Sequence, residues 1–208
     1  MDKKVILSLY DYSGTWSQPY VDAGYEVIRI DKQIEGIDIN DFCVDYIAEE
    51  LDLPPMVHGI LAAQPCTEFA CSGARWFAEK DADGRTGAAI NLVHQTLATV
   101  EYYKGDYEHR QSEWALKWWV IENPVGRLNR LVPDLNDLGP WYFQPCNFGD
   151  PYTKKTGLWG EFNNQLVRNP VEPIEGSKMH KIFPGPDRQN IRSETPQGFA
   201  TAFFNANP

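Results

Sequence analysis

The sequence is short of cysteine, of long hydrophobic runs and of positive charge, and each shortage excludes a class of protein. It has four Cys among 208 residues and no C-x-x-C pair, which is typical of a reduced intracellular protein. No apolar run approaches the roughly 20 residues that cross a bilayer, and no signal peptide is visible before the first predicted strand. We therefore expect a cytoplasmic protein without a membrane partner.

The charge of the chain is unevenly distributed. The formal net charge of -10 opposes general binding to nucleic acid, whose phosphates require Lys and Arg. Residues 1–150 hold 12 basic and 24 acidic side chains, whereas residues 151–208 hold 7 and 5. Only the C-terminal part could therefore face phosphate. The alternative, that its basic residues are ordinary solvated surface charges, stays open.

Composition and length predict one globular domain. With 42% hydrophobic and 23% charged residues, a chain of 208 residues can bury a full core. Residues 1–130 are predicted to form a cofactor-binding and catalytic core. Residues 131–208 are richer in Pro and in positive charge, and we expect short strands, long loops and a closing helix over residues 195–207 there.

A buried strand is predicted over residues 57–63, because a short apolar run there is preceded by Pro54-Pro55 and stopped by Pro65. Cys66 follows the carboxyl end of this strand, where open α/β sheets collect ligands and catalytic groups. A thiol at that place is a candidate nucleophile. A lone Cys is nevertheless more often a small buried hydrophobe, so Cys66 by itself does not establish catalysis.

A second apolar stretch has the same layout. Residues 118–121 are apolar and are followed by Glu122, Asn123 and Pro124. Because parallel strands end at the same edge of a sheet, we expect Glu122 to emerge beside Cys66. A nucleophile and a carboxyl in one crevice form the arrangement that covalent catalysis with proton transfer requires.

The N-terminal stretch has the layout of a cofactor-binding opening. A strand over residues 4–10 leads into a turn at Ser13-Gly14 and then into a helix over residues 19–23. Such a turn brings the backbone close to a ligand, and the helix start offers free N–H groups. A second strand delivers Asp31 to the sheet edge, where an acidic residue binds ribose hydroxyls. Asp38 is a further candidate contact, with an ordinary loop and an Asx turn as the alternative.

Helices are predicted between the strands. Apolar residues at three- and four-residue intervals predict a helix over residues 86–103, and another is expected over residues 108–117. Residues 72–87 are polar and rich in Gly, and they are predicted to form a loop that could close as a lid. The alternation of strand and helix predicts an α/β fold, with a mostly parallel sheet and helices on both faces.

Taken together, these stretches resemble the DNA cytosine-5 methyltransferase family, whose members have a Rossmann-like fold and depend on S-adenosyl-L-methionine. The likeness covers most of residues 4–125 and continues more faintly through residues 150–156 and the closing helix. The motifs that carry it are, in chain order, the glycine turn at residues 12–16, the acidic Asp31 and Asp38, the pair Pro65-Cys66, and Glu122-Asn123-Pro124, where the family has Val in place of Pro.

The resemblance implies a covalent reaction on cytosine. The thiolate of Cys66 would add at carbon 6, so that carbon 5 can attack the methyl group of the cofactor. Glu122 would hydrogen-bond the ring N3 and the exocyclic amine, and Asn123 would support the loop. On duplex DNA the target base would be flipped out of the stack.

The resemblance also implies two sets of binding residues. The cofactor-binding set consists of Tyr12, Ser13, Gly14, Thr15, Trp16, Asp31, Asp38 and Pro65. The substrate-binding set consists of Thr67, Arg75, Lys154 and Lys155. No metal site is expected, because the acidic run at residues 81–84 lacks the distal Glu of a calcium loop.

Two departures from the family pattern concern the substrate. The family's basic motif normally offers arginines but is Lys154-Lys155-Thr156 here, and Lys cannot make the same planar two-pronged contact. Family members usually carry a target-recognition domain before the closing helix, yet only about 35 residues separate Gly160 from Glu194. The chain therefore resembles a minimal, phage-type member.

Several functional hypotheses stay open at this point. The chain could methylate cytosine in DNA with little sequence preference, act on a free cytosine nucleotide, or rely on a partner protein for targeting. A catalytically silent accessory protein that binds DNA or the cofactor is the non-enzymatic alternative. We favour methyl transfer to DNA, and the presence of both Cys66 and Glu122 speaks against a catalytically silent protein.

Overall fold

The computed structural model describes residues 3–34, 54–105 and 116–208. Asp38 lies outside the described residues. So does the helix predicted over residues 108–117, apart from its last two positions.

Six strands of the described residues form one sheet. They are β1 Val5–Leu9, β2 Glu26–Ile30, β3 Gly59–Ala63, β4 Trp118–Pro124, β5 Trp141–Phe143 and β6 Thr156–Glu161. Their order is β2-β1-β3-β4-β6-β5. Strands β2, β1, β3 and β4 are parallel, whereas β6 is antiparallel to both β4 and β5. The predicted α/β, Rossmann-like fold with a mostly parallel sheet is confirmed.

The central strands supply two hydrophobic cores, one on each face of the sheet. In β4, Trp118 and Val120 pack into one core, while Trp119 and Ile121 pack into the other. Side chains alternate between the two faces along a strand. A strand segment that is buried on both faces is therefore mostly apolar, which is why β3 and the first four residues of β4 form continuous hydrophobic runs.

Helices cover both faces, as predicted. The described α-helices are α1 Gln18–Asp22, α2 Phe77–Ala82, α3 Arg85–Lys104, α4 Leu128–Leu131, α5 Arg188–Ser193 and α6 Gln197–Ala206. Val93 and Val100 of α3 pack on one face, and Phe199 and Phe203 of α6 pack on the other. Of the helices in the three described segments, none has the length and apolar character to cross a membrane.

The prediction of a loop over residues 72–87 is wrong. The segment contains a 3-10 helix, Cys71–Trp76, followed by α2 and the start of α3. Its polar side chains have partners elsewhere in the fold: Lys80 is buried, and Asp81 forms an ion pair with Arg127 at 2.8 Å. The polar composition therefore reflects long-range contacts, which the local sequence does not reveal.

The strand order reverses between β1 and β3. From β1 the chain passes to β2 on one side, and it later returns to place β3 on the other side of β1. In open α/β sheets a crevice forms beyond the carboxyl ends of the strands at such a switch point, and ligands bind there. The topology thus brings the residues that follow β1, β2 and β3 to one region of the surface.

Candidate functional site

A cleft of about 890 Å³ opens in this region. Its volume lies within the range of about 300 to 1,000 Å³ that is usual for small-molecule sites. The cleft is lined by these residues from the sequence-predicted site: Tyr12, Ser13, Asp31, Pro65, Cys66, Thr67, Lys154 and Lys155. Across the described ranges, no three His, Cys, Asp or Glu side chains cluster as metal ligands would.

Four sequence-predicted binding residues lie away from this cleft. Gly14 and Thr15 border a second hollow of about 600 Å³ between the glycine turn, α1 and α6. The Trp16 indole is completely buried and packs against Phe199 and Phe203 of α6, so it belongs to the hydrophobic core. Arg75 is exposed, with its guanidinium 4.9 Å from the centre of the Trp76 ring.

The glycine turn after β1 is held by Asp11, which the sequence analysis did not select. The Asp11 carboxylate accepts hydrogen bonds from the Ser8 hydroxyl at 2.9 Å and from the Ser17 hydroxyl at 2.8 Å. It also accepts one from the Gly14 backbone N–H at 2.9 Å, and Gly14 has a φ of 73° that favours glycine. An Asp just before a Ser-Gly turn is the local signal that could have indicated this role.

Tyr10 ends β1 in a strained conformation beside the cleft. Its φ is 60°, which is uncommon for a residue other than Gly and often marks a functional site. The Tyr10 hydroxyl lies 3.1 Å from the Leu92 carbonyl and 3.2 Å from the Thr96 hydroxyl on α3. Burial raises the pKa of Tyr10 to about 12. The phenol is therefore neutral near pH 7, and it joins the residue that follows β1 to α3.

The loop that carries Cys66 is joined to the end of β4. Ala63 of β3 pairs with Glu122 of β4, so the chain reaches Cys66 three residues beyond that pair. The Cys66 carbonyl accepts hydrogen bonds from the N–H groups of Phe69 and Ala70 at 3.0 and 2.9 Å, which closes a tight turn. Ala70 in turn forms a bridge with Gly126. The bridge therefore joins the loop that carries Cys66 to the segment that follows Glu122 and β4.

Cys66 and Glu122 share an electrostatic environment. Burial raises the pKa of the Cys66 thiol; the positive charges of Lys154 and Arg192 oppose this rise, and the charge of Glu122 adds to it. Burial also raises the pKa of the Glu122 carboxyl, against the smaller effects of Lys154 and the Thr156 hydroxyl. Arg192 lines the cleft, although sequence analysis placed it only in the basic C-terminal part. Cys66, Lys154 and Arg192 line the cleft, whereas Glu122 is buried, does not line it, and acts on the thiol through its charge.

Asn123 is completely buried next to Glu122 and supports the same loop. Its side-chain amide donates a hydrogen bond to the Gln64 carbonyl at 3.3 Å, two residues before Cys66. This contact joins the end of β4 to the loop that carries Cys66.

Two buried cations, which the sequence analysis also missed, hold the other side of the Cys66 loop. Lys80 of α2 donates to the Thr67 carbonyl and lies 3.7 Å from the Glu68 carboxylate. The Arg127 Nε donates to the Glu68 carbonyl at 2.9 Å. No motif near Lys80 or Arg127 indicates this role, since their partners are backbone carbonyls distant in sequence.

Glu122→Gln is expected to change how stability depends on pH. Because burial raises the pKa of Glu122, the native state keeps this proton to higher pH than the unfolded chain, whose carboxyl titrates near 4.5. The native protein therefore loses stability as pH rises from about 4.5 to the folded pKa. Gln has no such loss, so the free energy of unfolding of the variant should rise relative to wild type across this window. Denaturant unfolding of both proteins over a pH series measures this change. A difference in the free energy of unfolding between variant and wild type that stays the same at every pH would contradict the prediction.

Solved structures of methyltransferases share parts of this fold. A methyltransferase of Entamoeba histolytica is similar over 89% of this chain and 61% of its own, with 10% identity and a TM-score of 0.46. A proposed DNA modification methyltransferase encoded within a prophage of E. coli is similar over 76% of this chain and 47% of its own, with 12% identity and a TM-score of 0.44. The chain thus spans less than two thirds of either structure. No protein-family model and no curated protein matches the sequence.

Proposed function

We propose that this chain transfers a methyl group from S-adenosyl-L-methionine to carbon 5 of cytosine in DNA, through a covalent bond to Cys66. The observation that carries the proposal is that Cys66, Lys154 and Arg192 line one cleft, and that the buried Glu122, which is not among its lining residues, pairs with Ala63 in its wall. These are the groups that nucleophilic attack on an electron-poor ring requires.

The residues of the cleft fit the proposed cofactor. Asp31, at the end of β2, lines the cleft and can accept hydrogen bonds from ribose hydroxyls. Tyr12, whose ring is exposed in the same wall, offers an aromatic face to a purine. When bound, the cofactor supplies an electrophilic methyl group on a sulfonium sulfur.

Cys66 performs the covalent step. Its sulfur, as the thiolate, would form a bond to carbon 6 of the ring, and the displaced electron pair would move to carbon 5. Carbon 5 would take the methyl group as the bond from that group to the sulfonium sulfur breaks, which leaves S-adenosylhomocysteine. A base then removes the proton of carbon 5 while the bond between carbon 6 and sulfur breaks, which returns the thiolate. Burial raises the pKa of Cys66, and Lys154 and Arg192 favour this cycle because their positive charges oppose that rise.

Glu122 activates the ring in its neutral form. Burial raises the pKa of this carboxyl, so the proton stays on Glu122 to higher pH than in water. A protonated carboxyl can donate a hydrogen bond to the ring N3 of cytosine, which carries no proton. The donated bond draws electrons into the ring and makes carbon 6 more open to attack by Cys66.

Transfer of a labelled methyl group tests the proposal. A duplex that contains cytosine should be labelled, and the same duplex with 5-methylcytosine at every cytosine should not, because carbon 5 is already occupied. Label that enters both duplexes equally would place the acceptor atom elsewhere. No label in either duplex, with a free cytosine nucleotide labelled instead, would favour the second candidate function.

That second candidate, methylation of a free cytosine nucleotide, is favoured by the net charge of -10. The two acceptors differ in how binding responds to salt. Contacts of Lys154, Lys155 and Arg192 with three phosphates predict a slope of about -2.7 for the logarithm of DNA affinity against the logarithm of salt concentration. DNA affinity that does not change with salt would instead support the nucleotide.

A further inference from the structure

Three buried amide oxygens beside the cleft have no hydrogen-bond partner in the described residues. They are Gln64 Oε1, Gln95 Oε1 and Asn123 Oδ1. Gln64 is 3% exposed and Asn123 is 0% exposed, so water does not reach them freely. An unpaired buried acceptor is destabilising, and in a native structure it calls for a specific explanation.

The three side chains are neighbours. The Asn123 amide donates to the backbone carbonyl of Gln64 at 3.3 Å. The Gln64 side-chain amide donates to the Thr96 hydroxyl at 2.6 Å, and Thr96 follows Gln95 on α3. Gln64 and Gln95 both line the cleft that contains Cys66. The Gln64 and Gln95 oxygens therefore belong to one wall of that cleft, on the side of α3, whereas Asn123 is buried and does not line the cleft.

The Gln64 amide has its NH₂ group towards the Thr96 hydroxyl. The Thr96 hydroxyl donates to the Leu92 carbonyl at 3.1 Å, so it accepts from the NH₂ group of Gln64. The Gln64 Oε1 is the atom that remains for a ligand. All three unpaired atoms are acceptors, so this wall is complementary to a ligand group that carries N–H donors.

We propose that Gln64 and Gln95, backed by Asn123, bind an N–H donor group of the methyl donor and so position it against Cys66. The inference rests on the proposed function, which supplies the ligand. S-adenosyl-L-methionine has two groups of this chemistry, the ammonium of its methionine part and the exocyclic amine of its purine. Either one would satisfy the acceptors and remove the cost of leaving them buried without a partner.

Calorimetry with the full chain distinguishes the ammonium from the purine amine as the group that is bound. The ligands are S-adenosylhomocysteine, 5′-methylthioadenosine, which lacks the ammonium, and S-inosylhomocysteine, which lacks the purine amine. The variant is Gln64→Met, which has similar length and no acceptor oxygen. Gln165→Met, at an exposed position outside the cleft, is the matched control and should bind like wild type.

Gln64→Met should weaken S-adenosylhomocysteine binding about 10- to 100-fold, the loss expected for one buried hydrogen bond to a charged or polar group. For the ligand that lacks the recognised group, Gln64→Met should change the affinity little relative to wild type, because that ligand has no group for Gln64 to bind. If Gln64→Met no longer weakens binding when the ligand is 5′-methylthioadenosine, the recognised group is the ammonium. If it no longer weakens binding when the ligand is S-inosylhomocysteine, the recognised group is the purine amine.

Equal weakening of all three ligands by Gln64→Met, or no weakening of any, would overturn the inference while leaving the proposed function standing. Failure of wild type to bind any of the three would overturn both. If Gln64→Met does not fold, Gln95→Met gives the same readout, because Gln95 lies on the surface of α3 and is only partly buried.

Discussion

Cys66→Ser is expected to reduce methyl transfer by at least about 10³-fold, equivalent to about 4 kcal/mol of transition-state stabilisation. A hydroxyl ionises far less readily than a thiol, so Ser cannot supply the nucleophile that adds to carbon 6. Cofactor affinity should stay close to that of wild type, because the change removes no residue that contacts the proposed ribose or purine positions. Single-turnover transfer of labelled methyl groups and calorimetry measure the two effects separately.

Cys71→Ser is the matched control for this prediction. Cys71 lies in the same segment but is exposed and does not line the cleft. We expect it to keep both transfer and cofactor binding. Undiminished transfer by Cys66→Ser would contradict the covalent mechanism, and loss of transfer in both variants would mean that the segment, not the thiol, is required.

Arg127→Met is expected to destabilise the protein by about 2 kcal/mol or more. The buried guanidinium donates to the Glu68 carbonyl at 2.9 Å and to the Thr86 hydroxyl at 2.8 Å, and it lies 3.7 Å from the centre of the Phe77 ring. Its removal leaves the Glu68 carbonyl without this donor. The Asp81 carboxylate adds little to the cost, because it is half exposed and water can solvate it.

The same variant should also slow methyl transfer at temperatures where the protein is folded, since the Cys66 loop loses the contact that anchors Glu68. Thermal unfolding and single-turnover rates check both effects. Arg130→Met is the control, because Arg130 lies three residues after Arg127, on α4, but is exposed. Equal stability losses in the two variants would show that Arg127 does not anchor the loop.

Much of the fold could be predicted from local patterns. The four parallel strands were predicted close to their observed positions, because each is a short apolar run bounded by Gly, Pro or polar residues. The position of Cys66 near Glu122 also follows from topology. Adjacent parallel strands end at the same edge, and β3 and β4 are indeed adjacent.

The supporting residues of the site could not be predicted in this way. Lys80 and Arg127 bind backbone carbonyls of the Cys66 loop from positions more than ten residues away in sequence. Neither charge belongs to a local sequence motif that would indicate its partner. The polar segment that includes Lys80 was predicted to be a loop. Trp16 shows the opposite failure, since it lies in the glycine-turn motif but its indole packs against α6, which is distant in sequence.

A trap with 5-fluorocytosine tests the central claim most directly. Fluorine at carbon 5 cannot leave as a proton, so the bond between Cys66 and carbon 6 should persist after methylation. We predict a covalent complex between the chain and a duplex that contains 5-fluorocytosine, dependent on S-adenosyl-L-methionine and located by mass spectrometry on the peptide that carries Cys66. Absence of a complex with the duplex, or attachment at Cys71 or Cys146 in place of Cys66, would contradict the account.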